Sequence, residues 1–180
     1  MWPEYLALAT PADPVAMPVE RKPDAQPSPS DTVEVARSLV RSASKGVLAT
    51  LDAGSGAPYA SLVLVATTAS GAPIFLLSRL ALHTRNIAAD ARVSLLIDGT
   101  GGAGDPMTGA RISLSGTLAM TVDPDVRRWF LARHPTASGY ADFADFAFFA
   151  LAIKTAHMIQ GFGRITDIAG LALLDERAPG

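Results

Sequence analysis

The chain has 180 residues, a net charge of −2 and almost half hydrophobic composition, which suits one domain with a sizeable core. It has no basic excess of the kind that marks a nucleic-acid surface. It also has no cysteine, which excludes disulfides, thiolate metal sites and a cysteine nucleophile.

Residues 1–30 hold seven of the 13 prolines, so they form neither a regular helix nor a central strand and read as an extension. Glu4 and these prolines also argue against a secretory leader, and no apolar run is long enough to span a bilayer. The expected setting is cytoplasmic, with no membrane or nucleic-acid partner. The three histidines, His83, His134 and His157, lie far apart without metal-ligand spacing, so no metal site is expected. The expected domain covers 31–174, and 175–180 is a polar tail.

Asp31 reads as a helix cap with Glu34 three residues on. Val35, Leu39 and Val40 follow at helical spacing, and Gly46 reads as the terminator. Residues 46–51 and 58–65 read as a hairpin across the turn at 52–56, and 74–77 as a third strand. Residues 93–97 form another strand. After a glycine-rich loop at 99–109, residues 111–120 form a long strand with Ile112, Leu114 and Leu118 on one side. Asp123-Pro124 opens a helix that stops before Pro135. Tyr140, Phe143 and Phe146 anchor a connector, and 148–154 and 156–160 read as the last strands. Six or seven strands joined mostly by tight turns give an antiparallel barrel or sandwich with about three peripheral helices.

The run that organises the chain is IFLLSRLALHTRNIAADARVSLLI, residues 74–97. It reads as strand, loop, short helix, strand. Ser78, His83, Thr84 and Arg85 gather hydroxyls and basic groups where the helix begins. Free backbone N–H groups there, with an arginine fork, suit a phosphate. Taken alone, the loop reads equally as an ordinary capping turn with a solvated arginine.

The wording of this run resembles the flavin-phosphate segment of the pyridoxamine 5′-phosphate oxidase-like family, the FMN-binding split β-barrels. Within that family it looks most like the branch containing the haem-utilisation proteins. Further matches at 58–65, 105–116 and 161–164 extend the resemblance in order over residues 31–168. The resemblance implies a six- to seven-stranded antiparallel split β-barrel with peripheral helices. It also implies FMN as cofactor, oxidoreductase chemistry, and a homodimer with flavin sites at its interface.

The resemblance places flavin contacts on the second strand at Ser61, Leu62 and Val63. On the residues alone, Ser61 reads as the solvent face of that strand. The parent oxidase has an arginine on this strand and a lysine in the next loop; here Ser61 stands on the strand and His83 falls closest to the lysine. Ser78, His83, Thr84 and Arg85 become the phosphate group. Asn86 reads as a helix-surface residue whose amide could also meet a flavin oxygen. Arg111 reads as a rim arginine, and the resemblance brings it to the flavin of the other subunit. Asp105-Pro106-Met107 shapes the preceding loop. Gly161, Phe162 and Gly163 match a late bend against the ring, or mark a bulge.

The parent oxidase has tryptophan in that bend and this chain does not, which weighs against pyridoxamine phosphate as substrate. No proton-transfer residue is identified. The alternatives are a non-catalytic flavin- or haem-binding module and a deazaflavin-dependent reductase. In the haem-utilisation branch, haem handling relies on an additional C-terminal domain, which makes haem degradation the weaker expectation.

Overall fold

The first helix, α1 (Pro29–Ser42), starts earlier than the sequence pattern suggests. In the computed structural model, which describes residues 28–101, 104–161 and 163–175, Ser28 is the cap. Its hydroxyl accepts the Asp31 N–H at 3.2 Å, and its own N–H donates to the Asp31 carboxylate at 3.1 Å. Asp31 is therefore the inner partner of a capping box, with Pro29 in the first turn. Thr32, Ala36 and Val40, four residues apart, form the buried face; Val35, expected inside, is 41% exposed. The helix ends at Ser42, and Gly46 belongs to the first strand. A Cβ at Gly46 would lie 2.9 Å from Leu95 and from the Leu96 carbonyl. The glycine is there for close strand approach, not helix termination. The expected extension through residue 27, Phe162 and the tail from residue 176 lie outside the described residues. Asp175 is tied down: its N–H donates to Ser70 O, and its carboxylate pairs with Arg41 at 2.7 Å.

The remaining elements are β1 (Lys45–Leu51), β2 (Pro58–Leu64), β3 (Ala66–Thr67), β4 (Pro73–Ser78), α2 (Leu82–Ala89), β5 (Arg92–Gly99), β6 (Ala110–Met120), α3 (Pro124–Arg133), β7 (Phe146–Gln160) and β8 (Ile165–Ala169). They form one antiparallel sheet in the order β2-β1-β5-β6-β7-β4-β3. The two strands expected at 148–154 and 156–160 are one strand, β7. Its pairing with β6 shifts between Ser115 and Gly116, where Thr155 and then Ile153 are the partners. Lys154 is the extra residue, a bulge in a continuous strand. One flank of β7 pairs with β6. The other is shared, with residues 146–150 on β4 and 155–159 on β8.

The sheet curls on itself but does not close along its whole length. β3 continues the chain from β2 and pairs with the start of β4, Ala66 opposite Ile74. β2 itself pairs only with β1, so β2 and β4 diverge without a ladder between them. The barrel is split at that seam.

Leu48, Phe75, Leu95, Ile112, Leu114 and Met158 fill the interior. A second cluster joins Ile74 and Leu76 to Val126 and Phe130 of α3. β4 is thus buried on both faces, which explains its unbroken apolar run. No helix among the described residues is long and apolar enough to cross a membrane.

Two glycines press on the bulge. A Cβ at Gly116 would lie 2.1 Å from Ala152 O, and one at Gly170 would lie 2.0 Å from Ile153 O. Backbone cannot yield as a flexible side chain does, so Gly116→Ala should destabilise the fold by about 1–3 kcal/mol. Urea unfolding measures this. A wild-type midpoint would mean that the bulge relaxes freely.

Candidate functional site

The seam between β2 and β4 is a groove of about 340 Å³. Leu62 and Leu64 wall one side, Leu76 the other, and Tyr140 and Phe146 close one part of it. The two aromatic rings are 5.0 Å apart. His83 of α2 also lines the groove.

Ser61 lies on the inward face of β2, opposite the fully buried Leu48, and not on the solvent face. Its hydroxyl is 3.1 Å from His83 Nδ1 and 3.5 Å from Leu48 O. A carbonyl has no proton to give. With the Ser61 proton on Leu48 O, Nδ1 carries the ring proton; with it on Nδ1, Nε2 carries the ring proton. In either tautomer Nε2 is shut off from solvent and has no hydrogen-bond partner among the described residues. Burial pushes the His83 pKa below its usual value of 6.5, so the imidazole is neutral at pH 7.

Ser78 shapes the turn beside the groove. Its hydroxyl donates to Asp145 at 2.8 Å and accepts the Leu80 N–H at 3.2 Å, while Arg79 N–H donates to Asp145 O. Residue Ala81 caps α2 without a side-chain bond, and the Thr84 and Arg85 N–H groups both turn to Ala81 O. The expected helix start is present, but no side chain caps it.

The structure separates other expected site residues from this groove. Asn86 is fully buried, not on the surface. Its amide donates to Thr50 Oγ1 at 3.0 Å, and its carbonyl accepts the Ala53 N–H at 3.1 Å. It pins α2 to β1 and the following turn from within the core. Thr84 and Arg85 line a different cavity on the other side of α2. Arg85 also faces the Asp52 turn. The Asp52 carboxyl is held below its usual range chiefly by hydrogen bonds from Ser55, with smaller effects from Gly54 and the Arg85 charge.

Val63 points into the core at 6% exposure, whereas Leu62 is 70% exposed. Arg111 lies at the opposite end of the sheet. It pairs with Asp98 at the far end of β5, while Arg92, just after α2, pairs with Thr117. The Arg111 guanidinium donates to the carbonyls of Met107 and Gly109, so it braces the loop in which Asp105 caps a short turn. Gly161 and Gly163, with φ of 97° and 74°, form the β7–β8 turn, closed by Gln160 N–H to Arg164 O. Within one chain that bend is a hairpin turn remote from the groove, where left-handed backbone favours glycine.

Tyr140, Phe146 and Asp145 belong to the site and were not assigned to it from the sequence. The Ser78–Asp145 bond spans 67 positions, and no local pattern announces such a contact.

Against known proteins, the family model described as CREG, β-barrel matches residues 27–174. The non-canonical haem oxygenase HOZ of Arabidopsis thaliana chloroplasts is 36% identical over 135 residues, which is 72% of this chain and 40% of that protein. The chain thus spans less than half the length of this curated relative. The solved structure of a haem-binding protein from Mycobacterium smegmatis is 31% identical with a TM-score of 0.74, covering 83% of this chain and 61% of that one. A Clostridium acetobutylicum structure described as of the pyridoxinephosphate oxidase family is 12% identical with a TM-score of 0.60. It covers 77% of this chain and 94% of that one, and shares the fold.

Proposed function

This chain belongs to the CREG β-barrel family, a pyridoxamine phosphate oxidase-like split barrel, and from that premise we propose that it binds haem in the split groove through His83. The observation that carries this reading is the placement of the imidazole: Nδ1 lies 3.1 Å from the Ser61 hydroxyl, Nε2 is buried without a hydrogen-bond partner, and burial favours the neutral ring, which ligates in the tautomer with its lone pair on Nε2. A histidine that ligates a metal is normally held this way through its other nitrogen. The apolar walls at Leu62, Leu64 and Leu76 and the rings of Tyr140 and Phe146 suit a flat apolar macrocycle. The haem-related names of two relatives above 30% identity point the same way.

Bound haem would supply an iron centre with one coordination position taken by imidazole. The chain's own residues do the rest. Ser61 holds the ring angle and tautomer, and the groove walls offer apolar contact. Nε2 is closed from solvent in the free chain, so the seam has to widen for ligation. No ladder joins β2 to β4, so widening breaks no hydrogen bonds between those strands.

FMN in the same groove is the second reading, favoured by the α2 terminus, which lacks a side-chain cap and could offer N–H groups to a phosphate. Against it, no arginine or lysine among the described residues lines the groove, since Arg85 is turned to the other side of α2. Oxidoreductase activity belongs with this second reading.

We further infer a homodimer through the outer face of β2, β1 and β5. Leu62, Val47 and Leu96 are in register there and are 70%, 37% and 39% exposed. Such a cross-strand apolar row marks an interaction surface. It adjoins the groove, and Arg111 lies on the same outer face at the other end of the sheet.

Titration of the purified full chain with haemin and, separately, with FMN tests the cofactor. Haemin should saturate at one per chain with a shifted Soret band, and FMN fluorescence should stay close to that of the free flavin. Saturable FMN quenching with an unshifted haemin spectrum would overturn the haem reading in favour of flavin.

A further inference from the structure

A second cavity, of about 500 Å³, lies on the side of α2 away from the groove. Leu118 and Met120 at the end of β6 and Phe149 of β7 give it apolar walls. Arg79, from the loop after β4, and Arg85, from the first turn of α2, also line it. Neither guanidinium has a hydrogen-bond or ion-pair partner among the described residues, whereas Arg37, Arg41, Arg92, Arg127 and Arg128 all do.

Thr84 is the third polar element. It is 7% exposed and lines the same cavity, and its hydroxyl is buried without a partner. A helical threonine usually rests its hydroxyl on a carbonyl one turn back. Here the Ala81 carbonyl already accepts the Thr84 and Arg85 N–H groups. A buried hydroxyl left unpaired, in a cavity that two unpaired guanidinium groups also line, calls for an acceptor from outside the chain.

The geometry points to a second ligand site, separate from the groove, for an amphipathic organic carboxylate. Its carboxylate meets Arg79 and Arg85, and the Thr84 hydroxyl once a rotamer change turns that buried group into the cavity, while its apolar body lies against Leu118, Met120 and Phe149. Guanidinium forks match a carboxylate in shape as well as charge. The cavity is within the size range of small-molecule sites. A small, fully polar anion would leave the apolar walls in water, and a neutral apolar molecule would leave the buried hydroxyl unpaired. His83 is not among the walls, so the site does not depend on the haem reading.

Isothermal titration of the full chain with dodecanoate below its micellar range, and with dodecan-1-ol as the neutral counterpart, tests the proposal. Dodecanoate should bind once per chain, and dodecan-1-ol at least about tenfold more weakly, as loss of a charged hydrogen bond implies. Arg79→Ala and Arg85→Ala, both at exposed positions, should each weaken dodecanoate by about tenfold or more. Ala119→Trp should fill the cavity and abolish binding, while His83→Ala should leave it unchanged. Circular dichroism confirms that each variant is folded. Absence of dodecanoate binding to the wild type would overturn the site, as would equal affinity for the alcohol or wild-type affinity in a folded Ala119→Trp variant. Failure of haemin to bind, with dodecanoate binding intact, would count against the groove reading alone.

Discussion

His83→Ala should weaken haemin binding by about 100-fold or more and return the Soret band to that of haemin in buffer. Loss of an outer-shell partner alone typically costs about 10–100-fold in metal affinity, and removing the ligand itself should reach at least the upper end. Ser61→Ala should fall within that outer-shell range, because it leaves Nε2 in place but frees the ring to rotate and change tautomer. The pH dependence has a defined sign. Proton and iron compete for Nε2, and burial sets the folded-state pKa below 6.5. Haemin should therefore stay bound at pH 7 and be released as pH falls through that lowered pKa. The same shift acts on stability. The unfolded chain takes up the proton first on acidification, so this contribution is complete above about 6.5 and is lost as pH falls through the folded-state pKa. Absorbance titration across pH, on wild type and on His83→Ala, measures both effects. A His83→Ala variant that keeps the shifted Soret band would remove His83 from the site.

Leu62→Glu should convert a dimer to monomers. Leu62 is the most exposed member of the Leu62–Val47–Leu96 row. In a two-fold assembly each substitution occurs twice across one interface. Taking a carboxylate out of water without a partner costs several kcal/mol, enough to empty an ordinary dimer at micromolar concentration. Sedimentation equilibrium should give twice the chain mass for the wild type and the single-chain mass for Leu62→Glu. The variant monomer should remain folded, since Leu62 adds nothing to the interior. Haemin affinity should fall along with dimerisation, because the groove borders this face. A wild type that sediments as a monomer would sink the interface, and a dimeric Leu62→Glu would move it elsewhere.

Much of the architecture is legible in local pattern. Asp123-Pro124 reads as a helix start, and α3 begins at Pro124 with the Asp123 side chain accepting the Asp125 N–H. The alternation of Ile112, Leu114 and Leu118 reads as one buried face of a strand, and all three are buried in β6. Capping, turn chemistry and strand alternation depend on residues a few positions apart, which is why a sequence displays them. Where local signals compete, the reading shifts: Ser28 and Asp31 both suit a cap, and Gly46 suits a helix end as well as a close strand contact.

The partners of each strand are a different matter. β4 follows β2 in the chain, yet its long pairing is with β7, Phe75 opposite Phe149, and the seam this leaves beside β2 is the groove. α2 then sorts the predicted site. His83 turns to the groove, Thr84 and Arg85 to the second cavity, and Asn86 into the core. Successive helical residues point about 100° apart, so four neighbours in sequence cannot share one site once the helix is in place. That the basic and hydroxyl groups of residues 78–86 gather at a helix start was determined by the sequence alone. Which of them face a common ligand was decided by the packing of α2 against β1, because a side chain's direction depends on what its helix is pressed against.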